Sequence, residues 1–396
     1  MMRWVIPFLL WAGSVAAQDF SGLARVNPDT ARIANTADGV QVTLELSQIV
    51  PYRVFTLAAP ERLVLDFREV DWTGVAANEL DQSARVDAVN FGTLRPGWSR
   101  MVLELSGPFS VNAVAGAVDD ETGVAQLSVS LVPVSAEEFV KRSGPPISTG
   151  WDDLLTEPVV GPQPPKDGET VVVIDPGHGG IDPGAEHGGQ READLMLTLG
   201  IEVAEALNRT DGVTAILTRD RDQFVPLTKR MTIARQNNAD LLISLHADAL
   251  AEGRARGGSV YTLSEDAANG AAQRMAERHE RGDLIAGLDL SEQDDRVAGV
   301  LMDLARAKTG PQGQRFAGAL IGALQERDVR LHRNALRQGP LAVLNAADFA
   351  SVLFEVGYLS SDRDRAILLD RDQRAVIVDA IVAAVLDWSL AEAVRE

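Results

Sequence analysis

The sequence predicts an α/β catalytic domain, a mixed sheet with helices on both faces, preceded by an all-β sandwich. Three observations predict it. From Gln18 to about Val134 apolar residues recur at period two; seven of the eighteen prolines then fall between Pro133 and Pro165; and from Thr170 onward short apolar runs alternate with helix-spaced ones. A length of 396 residues agrees with two or three domains, at roughly 150 residues each. The net charge of −20 argues against a nucleic-acid backbone or an anionic membrane as the main partner.

The first element is a leader. Residues 1–17 combine a basic start, an apolar run from Trp4 to Val15 and the small-residue pair Val15-x-Ala17. This reads as a signal peptide cleaved after Ala17, because an apolar run of about 12 residues is short for a membrane span. The other reading is an uncleaved N-terminal anchor. No later stretch approaches the ~20 apolar residues of a span. An exported chain with no cysteine has no disulfide framework, no thiol nucleophile and no thiolate metal ligand, so any metal falls to His, Asp or Glu.

Residues 18–134 form the sandwich. Val42, Leu44 and Leu46 alternate with Gln41, Thr43 and Glu45, and Leu127, Val129 and Leu131 with Gln126, Ser128 and Ser130, as half-buried strands do. Arg62–Phe67 and Arg100–Leu105 read the same way, with turns at Asp38-Gly39 and Pro96-Gly97. Residues 135–169, rich in proline and without sustained periodicity, read as a semi-extended linker.

Residues 170–391 make the α/β domain. Strands are expected at Val171–Asp175, Val213–Thr218, Leu241–Leu245, Ser259–Leu263 and Ser351–Val356, and helices near Glu192–Asn208, Leu227–Asn238, Asp294–Lys308, Gln314–Arg327 and Arg371–Ala391. All five histidines lie in this half. His178 follows the first strand in a glycine-rich turn, Asp175-Pro-Gly-His-Gly-Gly180, and His246 closes Leu241–Leu245 in the same way. Ligand sites of open α/β sheets lie at such carboxyl ends. Glu192, at the start of the next helix, can reach the same point. Two imidazoles and a carboxylate leave a fourth tetrahedral position open, as in catalytic zinc sites.

Each residue also has a plainer reading. His178 and His246 could cap loop backbone, and Asp175 either orients an imidazole or stabilises its turn. Glu355 interrupts the apolar strand Val352-Leu-Phe-Glu-Val356, where a buried carboxylate needs a partner or a task. It is either a general base or the partner of Arg219 or Arg230. His187 reads as a loop residue and His332 as a substrate-groove or surface residue.

Taken together, Val173-Ile-Asp-Pro-Gly-His-Gly-Gly180 with Asp182-Pro-Gly184, Arg191-Glu-Ala-Asp194, Leu217-Thr-Arg-Asp220, Pro226-Leu-x-x-Arg230, Ser244-Leu-His-Ala-Asp248 and Val352-Leu-Phe-Glu-Val-Gly-Tyr-Leu-Ser360 resemble the zinc-dependent N-acetylmuramoyl-L-alanine amidases of the bacterial cell-division type. Carried over position by position, the resemblance implies Zn²⁺ on His178, Glu192 and His246, with Glu355 as the catalytic glutamate. It implies hydrolysis of the amide between N-acetylmuramic acid and L-alanine of the peptidoglycan stem peptide. The competing classes are a non-catalytic peptidoglycan-binding scaffold and a zinc peptidase cutting another wall bond.

The first domain resembles, more loosely, the AMIN domain that targets such amidases to peptidoglycan, in Val40–Leu46, Tyr52–Phe55 and Pro60–Phe67. This architecture implies a Gram-negative periplasm. Division amidases of this type carry an inserted helix that covers the zinc until a LytM-type activator displaces it. Here the insert falls at about residues 265–293, where Ala268, Ala272, Met275 and His279 share one helical face. His279 ranks ahead of Glu280, about 100° around, as the group approaching the metal, with Glu277 third. The plainer reading is a surface helix.

Overall fold

Residues 23–68, 70–95, 97–119, 122–144, 168–249, 256–264, 299–345 and 348–395 are described by the computed structural model. The expected leader, residues 1–17, and the expected inserted helix with His279 and Glu280 lie outside them.

Alternation along the chain produces the first domain. Strands β1 (Ala24–Arg25), β2 (Arg32–Asn35), β3 (Val40–Leu46), β4 (Tyr52–Leu57), β5 (Arg62–Arg68) and β6 (Val70–Asp71) precede a single helical turn, α1 (Ala77–Leu80). Then follow β7 (Asp81–Gln82), β8 (Val86–Arg95), β9 (Trp98–Leu105), β10 (Phe109–Val118) and β11 (Ala125–Pro133). They build a five-stranded sheet, β10-β11-β3-β2-β7, and a four-stranded antiparallel sheet, β4-β5-β9-β8. Val42, Leu44, Leu127 and Val129 from one sheet meet Leu63, Leu65, Met101 and Leu103 from the other in a core of their own. The all-β expectation holds.

Two details differ from the sequence reading. Arg62–Phe67 is buried at every position rather than half-buried, because its outer face is covered as well. The segment read as linker opens with a helix, α2 (Ala136–Arg142), whose N-cap Ser135 accepts a hydrogen bond from the Glu138 amide at 3.2 Å.

The second domain is the predicted mixed α/β sheet. In chain order it contains β12 (Thr170–Pro176), β13 (Glu186–His187), β14 (Gln190–Arg191), α3 (Glu192–Asn208), β15 (Val213–Leu217), α4 (Leu227–Gln236), β16 (Leu241–His246) and β17 (Gly258–Leu263). It continues with α5 (Gly299–Glu326), β18 (Leu331–Gly339), β19 (Ala350–Glu355), α6 (Asp362–Leu369) and α7 (Arg371–Ala393). The sheet order is β15-β12-β16-β19-β17-β18. Strands β15, β12, β16 and β19 run parallel, and β17 runs against β19. Near-continuous apolar runs suit strands covered on both faces. Val172, Ile174, Ile243 and Phe354 pack towards the layer of α3, α5 and α7, and Val171, Val173, Leu242 and Leu353 towards α4.

Strand β12 is a switch point: the chain leaves it for β15 on one side and returns to β16 on the other. The crevice at its carboxyl end is therefore the place for a site.

The two helices expected at Asp294–Lys308 and Gln314–Arg327 are one, α5, running through Gly310-Pro311 and Gly313. Tertiary contacts outweigh the local break. Trp388 Nε1 donates to the Gln312 carbonyl at 3.1 Å, and Arg315 pairs with Glu392 at 2.6 Å.

Candidate metal centre

Three strand ends and one helix start converge on the crevice. Just beyond β12, His178 has φ +61°, a left-handed conformation uncommon in any residue but glycine. The turn leaves room only for small neighbours. A β-carbon at Gly177 would strike the His246 ring, and one at Gly184 would lie 2.6 Å from the His178 ring. Arg219, 2% exposed, ties this loop down by donating to the carbonyls of Pro176 at 2.9 Å, and of Gly177 and Ala193 at 2.8 Å. Burial pulls its pKa down to about 10.

Glu192 opens α3, where the helix dipole favours a carboxylate. Its Oε2 accepts from the Ala185 amide at 2.9 Å and its Oε1 from the Ala247 amide at 2.8 Å. The same Oε1 stands 3.2 Å from His178 Nε2 and 3.1 Å from His246 Nδ1, and the two ring nitrogens are 3.2 Å apart. Three buried donor atoms from His178, Glu192 and His246 thus meet at one point. The structure brings together the three residues singled out in the sequence.

Charge follows the geometry. Burial opposes protonation of His178, but Asp182 and Glu192 outweigh it and hold its pKa well above the ordinary histidine range. Burial, together with the charge of His178, lowers that of His246 although Glu192 pulls the other way. Burial would raise Glu192, yet the two histidines hold it well below the usual carboxylate range.

The residue that orients His178 is Asp182, whose Oδ2 lies 2.8 Å from His178 Nδ1. Asp175, the candidate from sequence, is occupied elsewhere. It accepts from Thr218 Oγ1 at 2.6 Å, Arg230 at 2.7 Å and Ser244 Oγ at 2.7 Å, and so cements the strand ends beneath the loop. The clue to Asp182 was its place four residues after His178 in a Pro-Gly turn.

Glu355 ends β19 directly opposite His246 of β16 and is fully buried. Its Oε2 accepts from the Asp248 amide at 3.1 Å. The arginines proposed as its partners have other tasks: Arg230 pairs with Asp175, and Arg219 holds loop carbonyls. Tyr261 and Tyr358 sense Glu355, with burial as the larger cause, and Tyr261 is pushed up to about 12. His187 lies exposed in the small hairpin of β13 and β14. His332, half-buried on β18, contacts Arg337 at 2.8 Å rather than the donor trio.

The family profile for N-acetylmuramoyl-L-alanine amidase matches residues 172–387, and that for the AMIN domain residues 30–130. The chain is 27% identical over 406 aligned residues to the N-acetylmuramoyl-L-alanine amidase AmiC of Escherichia coli O6:H1, covering 95% of this chain and 92% of that protein. It is 34% identical to AmiA of Escherichia coli K12, over 56% of this chain and 76% of that one. Among solved structures, AmiC2 of Nostoc punctiforme is 28% identical over 56% of this chain and 98% of that one, with a TM-score of 0.41.

Proposed function

This chain belongs to the N-acetylmuramoyl-L-alanine amidase family, and from that premise we propose that it is a zinc-dependent, periplasmic peptidoglycan amidase acting in septal wall splitting. The bond cut is the amide joining the lactyl group of N-acetylmuramic acid to L-alanine of the stem peptide. The convergence of the donor trio carries the reading. At zinc–ligand distances of about 2.0–2.1 Å, donors on a tetrahedron stand about 3.3 Å apart. Separations of 3.1–3.2 Å between His178, Glu192 and His246 fit that cage. Three protein donors leave one position for water or substrate, and two neutral imidazoles with a carboxylate are a hard-to-borderline set suited to zinc.

Zinc, when bound, supplies Lewis acidity that lowers the pKa of water towards about 7 and polarises a carbonyl. The protein supplies the rest. Asp182 fixes the His178 ring so that Nε2 faces the trio. Glu355, across the ladder from His246, accepts the proton of the attacking water and returns it to the departing amine of L-alanine. Its amide contact from Asp248 holds the carboxylate in place. The N-terminal sandwich, with a core of its own, directs the enzyme to the wall.

A digest of purified peptidoglycan resolved by mass spectrometry tests the reading. The expected products are intact stem peptides free of glycan. Trimmed peptides would make the protein a peptidase, and no products from either the zinc-loaded protein or its Asp266–Gln293 deletion would make it a scaffold. Glu355→Gln retains one zinc per chain and loses at least about a hundredfold in turnover, the low end for a general base. Near-normal turnover in that variant would remove Glu355 from the role.

A further inference from the structure

The outer face of the four-stranded sheet departs from what a free sandwich requires. An antiparallel sheet with one solvated face alternates buried and exposed residues. In β5 every residue from Arg62 to Phe67 is buried, and in β9 every residue from Trp98 to Leu103. Leu63, Leu65, Met101 and Leu103 account for the inner face. Val64 and Val102 point the other way and are fully buried too. With Phe55 they pack against Ile181 and Phe224 of the catalytic domain.

These two residues are not remote from the chemistry. Ile181 stands three positions after His178 and immediately before Asp182, the carboxylate on His178 Nδ1. Phe224 lines the cleft that holds His178 and His246, and its amide donates to the Thr93 carbonyl of β8 at 3.3 Å. The backbones meet closely: a β-carbon at Gly180 would collide with the Thr93 carbonyl oxygen, and one at Gly92 would lie 2.5 Å from that of Gly180. The Gly180 amide donates to Asp222 at 2.7 Å, and Asp222 accepts from Arg191, the neighbour of Glu192, at 2.8 Å. The loops 179–182 and 222–225 thus lie between the sandwich and the donor trio.

We propose that the outer face of the four-stranded sheet is a docking surface for the chain's own catalytic domain, and that the docked sandwich positions the His178–Asp182 loop for metal. The left-handed backbone of His178 persists only where its surroundings over-determine it. Val64, Val102 and the Thr93 carbonyl are part of those surroundings. The N-terminal domain is therefore a working part of the metal centre as well as an address. The proposal rests on the zinc assignment, and zinc uptake by the unaltered full-length chain, measured first, tests that assignment separately.

The experiment uses the full-length, zinc-loaded protein. Val64→Glu places a charge on the docking face while leaving the sandwich core intact. The expected result is native circular dichroism, a larger maximum dimension by small-angle X-ray scattering, and zinc release to a chelator faster by at least about tenfold, the lower range for lost support around a ligand. Combining it with Phe224→Ala should add little, because both break one contact. Gln126→Glu, on the exposed face of the other sheet, should leave zinc release unchanged. A Val64→Glu protein that opens in solution yet keeps zinc as well as the parent would overturn the positioning role. One that neither opens nor loses zinc would overturn the docking surface. Should Val64→Glu not fold, the milder Val102→Thr is judged by the same two readouts.

Discussion

At His178 a ring nitrogen facing Glu192 and His246, a left-handed backbone and a carboxylate anchor coincide. The anchor gives a prediction at this scale. Asp182→Asn keeps the shape of the turn but removes the charge that raises the basicity of the imidazole, so zinc affinity should fall about 10- to 100-fold. Turnover per zinc-loaded molecule should fall much less, since the variant leaves Glu355 untouched. Competition with a zinc-binding dye separates the two, and an affinity equal to that of the parent would dismiss Asp182 as an orienting group. Strand ends, a helix start and an interrupted apolar strand mark His178, Glu192, His246 and Glu355 as candidates, but each has a plainer reading until the family motifs are read together; the structure gathers the first three and sets Glu355 opposite His246. Asp182 carries no such mark. Choosing between Asp175 and Asp182 depends on which way a glycine-rich turn carries its carboxylates, and periodicity holds no information on that. Structure assigns Asp175 to Arg230, Thr218 and Ser244 instead.

Among elements, the Asp175–Arg230 pair joins the end of β12 to α4, with both side chains at most 4% exposed. Burial would raise the pKa of Asp175, but Arg230 and the hydroxyls of Thr218 and Ser244 prevail and lower it. A carboxyl lowered on folding contributes stability that is complete above its unfolded value, about 3.9, and is lost as pH falls through the folded value below that. Asp175→Asn should therefore cost about 3 kcal/mol near neutrality, where it strands a buried guanidinium, and the gap from the parent should narrow below about pH 4. Thermal unfolding of both proteins between pH 7 and pH 3 measures this, and a gap independent of pH would contradict it. Sequence patterns located five of the six strands of the sheet and the helices flanking them, since strands covered on both faces are apolar throughout. They did not show β18, whose residues Leu331–Gly339 carry polar and charged side chains on an edge strand, nor the short α6. The continuity of α5 through Pro311 was equally hidden, because packing on α7 decides it.

For the whole molecule, the proposed activity requires access to the trio, which is gathered at the carboxyl ends of β12 and β16 and the start of α3. The family resemblance implies that this control lies in the stretch of about residues 265–293, between β17 and α5 in the sequence, the plainer reading being a surface helix. Read as a helix from its spacing, this stretch would carry His279 on its apolar face and Glu280 about 100° around, and the proposal is that it covers the metal until a LytM-type activator draws it away. A cover of this kind is a coupling free energy between two sites, so its removal should raise the basal rate by roughly 5- to 150-fold. The comparison requires four proteins assayed on purified peptidoglycan at equal zinc loading: the parent, a deletion of Asp266–Gln293, His279→Ala and Glu280→Gln. Equal basal rates for the parent and the deletion would dismiss autoinhibition. If the deletion is faster and His279→Ala reproduces most of its effect, the imidazole is the group that fills the open position. A gain confined to Glu280→Gln transfers that role to the carboxylate, and a deletion effect that neither substitution reproduces means that the stretch works by steric cover alone.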